Sequence, residues 1–84
     1  MKNVLIVDSV RTAVGRIGGS LRDVDVDFLA AKVIEEVINR TGVLKEDIDE
    51  VIIGQAKQST DAPNLARLAL LRAGLPIEVT GYTV

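Results

Sequence analysis

The hydrophobic positions fall into blocks of two different periods. Val4-Leu5-Ile6-Val7 is a continuous aliphatic run with Val10 just beyond it. Without polar alternation, such a run predicts a strand buried on both faces. From Arg11 to Arg22 the chain loses all periodicity and gains Gly15, Gly18 and Gly19, which predicts an extended loop. Val26, Leu29, Ala30, Val33, Ile34, Val37 and Ile38 then recur at helical spacing as one apolar stripe, with Asp27, Lys32, Glu35, Glu36 and Arg40 off it. Asp25 is placed to be the N-cap of this helix and Gly42 its C′ residue. Leu44 to Asp49 reads as a polar turn, and Glu50-Val51-Ile52-Ile53-Gly54 as a second buried strand.

A polar loop, Lys57 to Ala62, leads to a second helix, with Asp61 as its expected N-cap and Pro63 in its first turn. That helix runs to about Ala73, with Gly74 and Pro76 as stop signals. Leu65, Ala66, Leu68, Ala69, Leu70, Leu71 and Ala73 go nearly all the way round it, interrupted by Asn64, Arg67 and Arg72. An all-round apolar helix is expected to be buried on every side. Tyr82-Thr83-Val84 opens a third strand.

The order β-loop-α-β-loop-α-β predicts an α/β fold with a mostly parallel sheet. It also predicts an incomplete domain. Strands buried on both faces need more than two covering helices, an enclosed helix needs more chain around it than 84 residues supply, and the last strand has no following element.

Composition narrows the chemistry. At 48% hydrophobic and 26% charged the chain is globular in character. With no Cys there is no disulfide or thiolate metal site, and with no His the commonest metal ligand and general base are missing. Ser9, Ser20 and Ser59 therefore have no histidine in this chain to activate them. A net charge of −2, one Tyr and one Phe provide neither a phosphate-tracking stripe nor a stacking platform, so no nucleic-acid partner is expected. No segment has the length of a membrane span or a signal h-region, and the expected location is cytoplasmic, with no membrane partner.

The remaining charged and glycine-rich motifs read as structural. Gly15-Arg16-Ile17-Gly18-Gly19 fails the dinucleotide fingerprint, and no acid follows the second strand, where Gly54-Gln55 stands. Asp23, Asp25 and Asp27 match no calcium loop and suit a helix N-terminus, while Glu35 and Glu36 pair with Lys32 and Arg40 on a solvated face. Neither a metal nor a cofactor is expected. Arg67 is the informative charge: inside an apolar helix its guanidinium must find carbonyl or carboxylate partners, or else line an interface or an active-site wall.

Four segments, in order, resemble the thiolase family. Arg11-Thr12-Ala13-Val14-Gly15-Arg16-Ile17-Gly18-Gly19-Ser20-Leu21 is similar to the opening R-T-P-x-G-[KR]-x-G-G-x-L, with Ala13 where the family usually has Pro. Glu46 to Gly54 resembles E-D-[IV]-[DE]-x-[VI]-[IVL]-x-G. Asn64-Leu65-Ala66-Arg67 with Gly74-Leu75-Pro76 resembles N-x-A-R…G-[LI]-P, although the preceding loop, Ser59 to Pro63, lacks the family's Gly. Thr83-Val84 resembles the start of T-V-N-x-x-C.

The resemblance implies that residues 1–84 are the incomplete amino-terminal half-domain of a five-layered αβαβα thiolase fold, stopping before the nucleophile loop. It implies a parent acyltransferase, most simply of the acetyl-CoA acetyltransferase kind, that condenses or cleaves 3-ketoacyl-CoA through an acyl-cysteine, with the coenzyme A thioester as substrate. A thiolate suits that chemistry. The implied partners are the rest of the thiolase chain or identical subunits. Asn64, Arg67 and Tyr82 are the candidates for an interface or active-site wall, and no catalytic, cofactor or metal residue is assigned to this chain. The alternative is a non-catalytic interaction module, or a truncated reading frame, that acts only by pairing with another chain.

Overall fold

A computed structural model describes residues 3–57 and 63–84. The helix predicted from the stripe is α1, Val26–Thr41. Its carboxyl end forms as expected: Gly42 takes the left-handed conformation, φ 71°, and returns its N–H to the Ile38 carbonyl. Asp25 holds the N-cap place with extended backbone, but its side chain accepts no capping hydrogen bond.

A 3-10 turn at Lys45–Asp47 leads into β1, Glu50–Ile53. The second helix is α2, Leu65–Arg72, and the last strand is β2, Thr80–Thr83. β1 and β2 pair in parallel, Glu50 with Thr80 through Ile53 with Thr83. The ladder runs on past both strands, with Val84 N–H donating to the Ile53 carbonyl and Gln55 N–H to the Val84 carbonyl, each at 2.8 Å. α2 is the crossover between them, lying on both strands and against α1.

α2 ends in a Schellman turn. Gly74, at φ 81°, donates to Leu71 O, and Leu75 donates to Leu70 O at 3.0 Å. This turn folds Leu75 back into a core shared by Ala31, Leu70, Ala73 and Val79, with Ile34, Ile38 and Val51 at its margin. Lys45 Nζ donates to the Ala73 carbonyl at 3.3 Å, placing a cation at the carboxyl end of α2, where the helix dipole favours it. Arg72 at the same end pairs with Asp27 of α1.

Four expectations are corrected. Val4–Val7 is not a strand: it has no ladder partner among the described residues, and Val4 and Ile6 are each 96% exposed. Strand propensity becomes a strand only where another edge offers hydrogen bonds, and the two-stranded sheet does not extend to this segment. Nor is β1 buried on both faces. Its exposure alternates, with Ile52 54% open, because α2 covers only the opposite side of the sheet.

Likewise α2 is not enclosed. Leu65, Ala66, Ala69 and Leu70 are buried, but Leu68 and Leu71 are 39% and 42% exposed. Finally, the N-cap of α2 is Asn64, so Pro63 precedes the helix, while Asp61 lies outside the described residues.

Candidate functional site

Of the polar side chains that the sequence singles out, Asn64 stands where the start of α2 meets the carboxyl end of β2. Asn64 caps α2 by accepting the Arg67 N–H on Oδ1 at 3.3 Å. The same Oδ1 accepts the Thr83 hydroxyl at 3.0 Å, and Asn64 Nδ2 donates to the Gly81 carbonyl at 3.2 Å. Thr83 Oγ1 in turn accepts the Ala66 N–H at 3.2 Å. One amide and one hydroxyl thus satisfy two first-turn N–H groups of a helix and tie them to a strand.

Arg67 points the other way along the strand. Its Nη1 bridges the carbonyls of Ile77, at 3.2 Å, and Val79, at 3.0 Å, in the segment entering β2. This fulfils the requirement that a charge within an apolar helix find polar partners. Arg67→Met keeps the apolar stem and deletes both donors. It is expected to lower stability by about 1–2 kcal/mol, as for charged hydrogen bonds partly open to water, read as a lower urea midpoint at unchanged slope.

Tyr82 is not part of this cluster. Side chains alternate along a strand, so with Gly81 and Thr83 against α2, Tyr82 lies on the opposite face beside Ile52, and 41% of it is exposed. The structure therefore unites Asn64 with Arg67 and separates Tyr82 from both.

Sequence reasoning missed Thr83 and Gly81 as partners. The available signal was a glycine inside a strand, a frequent mark of close backbone approach. A Cβ on Gly81 would collide with Leu70 Cδ2 and stand 3.3 Å from backbone atoms of Ala66 and Arg67. Beyond the cluster, Gln55 Oε1 is buried without a hydrogen-bond partner. An apolar groove of about 290 Å³ also opens between α1 and β1, lined by Ile34, Val37, Ile38, Ile48, Val51 and Leu75.

Chemically, this cluster holds backbone in place. Its hydroxyl, amide and guanidinium are engaged with main-chain groups and each other, and no His/Cys/Asp/Glu group suited to a metal occurs among the described residues. No helix among them is long and apolar enough to cross a membrane.

Comparison with known proteins identifies the lineage of this scaffold. The family model for the thiolase amino-terminal domain matches residues 4–84. The chain belongs to the thiolase family. Among its thiolase relatives, the acetyl-CoA acetyltransferase of Syntrophomonas wolfei is 43% identical over 83 residues, which cover 99% of this chain and 21% of the relative. A probable acetyl-CoA acyltransferase of Staphylococcus aureus is 40% identical over 84 residues, again 21% of its length. The crystal structure of the Bacillus anthracis acetyl-CoA acetyltransferase superposes with a TM-score of 0.93 at 46% identity, covering 100% of this chain and 21% of that one. The chain thus spans about one fifth of the length of the thiolases it matches, and its parallel strands and helices are part of the thiolase α/β fold.

Proposed function

We propose that residues 1–84 are the amino-terminal scaffold segment of an acetyl-CoA acetyltransferase. The observation that carries this reading is the likeness along the whole chain, in sequence and backbone, to proteins bearing that name at 43–46% identity. In the proposed reaction a cysteine thiolate beyond Val84 attacks the 3-keto carbon of a 3-ketoacyl-CoA, and the C2–C3 bond breaks with its electron pair on C2. Acetyl-CoA leaves as C2 takes up a proton, balanced by the one that the incoming coenzyme A thiol gives up in the next step. The thiol of a second coenzyme A then takes the acyl group from the cysteine. Separating attack from transfer in this way is the usual advantage of a covalent intermediate.

This segment's part is to set the carboxyl ends of two parallel strands, the end at which open α/β sheets place their chemistry. Its bare surfaces suit contact with the remaining chain or with an identical subunit: Val4 to Val7, the Ile52 and Tyr82 face of the sheet, and the groove between α1 and β1. The test is to express the full-length protein carrying these residues and supply acetoacetyl-CoA with coenzyme A. The expected result is loss of the acetoacetyl thioester with two acetyl-CoA formed per turnover. Absence of coenzyme-A-dependent cleavage in a folded preparation overturns the proposal.

A further inference from the structure

We infer that Thr83 and Asn64 are positioning residues for the nucleophile-bearing segment, setting the height and direction at which β2 hands the chain on at Val84. The inference rests on the acyltransferase reading above. Thr83 is the last residue of β2, and its hydroxyl is fully engaged: it accepts from Ala66 N at 3.2 Å and donates to Asn64 Oδ1 at 3.0 Å. Asn64 grips the same strand two residues earlier, through Nδ2 to the Gly81 carbonyl at 3.2 Å. The final residues of β2 are therefore clamped to the first turn of α2, and α2 is locked against β2 by the close approach at Gly81.

Among the described residues the backbone ladder ties β2 to β1. Ladder bonds set spacing and register but resist tilt about the strand axis weakly. The side-chain clamp adds a restraint from the helix side of the sheet. Its location matters as well. The entry to β2 is held by Arg67, so strand formation itself has separate support. The Asn64–Thr83 clamp acts at the exit, where a misplacement of about 1 Å in the segment beyond Val84 can lower a rate on the order of 100-fold.

Thr83→Val tests this directly, because it preserves shape and removes the hydroxyl. In the full-length protein, kcat for acetoacetyl-CoA cleavage is expected to fall roughly 100-fold, with KM within about twofold of the parent. Rates are taken per folded molecule, well below the melting transition. Thr83→Ser restores the hydroxyl and is expected to recover most of kcat. Asn64→Asp keeps both acceptor contacts, loses the donor to Gly81, and is expected to lower kcat by about tenfold. A purely structural role would lower the melting temperature and leave kcat per folded molecule unchanged. That outcome for Thr83→Val overturns the inference. If Thr83→Val does not fold, unchanged kcat in Asn64→Asp overturns it equally. An inactive parent protein removes the acyltransferase reading and this inference with it, whereas an active parent with indifferent variants removes the inference alone.

Discussion

Incubated with acetoacetyl-CoA and coenzyme A, the isolated 84-residue chain is expected to show no turnover above the uncatalysed background. Acyl transfer of this kind requires a nucleophile that carries the acyl group and a base or field that activates it. The chain has no Cys and no His. The hydroxyl best placed in the structure, that of Thr83, is hydrogen-bonded on both sides, to Asn64 and to the Ala66 N–H, and neither is a base that could accept its proton. Arg67 is committed to two carbonyls. This is the largest of the expected effects, since it removes the covalent pathway as a whole. Thioester loss is followed with and without the chain, before and after repurification. Turnover that copurifies with the chain would mean that another residue serves as acyl carrier.

The second large effect is expected at the contact between α2 and β2. Leu70 is completely buried at the centre of the core, and Leu70→Ala is expected to cost about 2–5 kcal/mol through lost transfer energy and the cavity left behind. Gly81→Ala adds a methyl group where Leu70 Cδ2 already lies, with Ala66 and Arg67 backbone 3.3 Å away. Its overpacking cost is expected to be about 1–3 kcal/mol, reduced by the few tenths that alanine gains from a less flexible unfolded chain. The two changes share one space, so they should not add. In the Leu70→Ala background the Gly81→Ala penalty should shrink by about 1–2 kcal/mol, leaving the smaller strain against the α2 backbone. Urea titration of the four chains gives the cycle. Strict additivity would show that Leu70 is not what Gly81 makes room for.

The contrast between Thr83 and Tyr82 shows why a site can hide in a readable sequence. Tyr82 attracts attention as the chain's single tyrosine, yet strand alternation turns it away from α2. Thr83 reads as an ordinary β-former, yet it faces the helix and completes the Asn64 cap. Its importance comes from the parallel register that sets it opposite Ile53 and beneath the first turn of α2. No local pattern encodes a register between strands so far apart along the chain.

What the sequence by itself determined is the set of features that depend on neighbours a few residues away. The apolar stripe placed α1, Gly42 and Gly74 ended the two helices in left-handed turns, and Val51 to Ile53 placed a strand. The family motifs, too, were legible residue by residue and agree with the match over residues 4–84. Tertiary structure decided the rest. It chose which face of α1 is buried, at Ala31, outside the predicted stripe, with Ile34 and Ile38 of the stripe beside it, because that face meets Leu70 and Ala73 of α2. It put the α2 cap at Asn64, whose side chain reaches both the helix start and the strand. It left Val4 to Val7 unpaired despite their strand-forming side chains, since a strand exists only by hydrogen-bonding to another edge, and no described segment presents one to it.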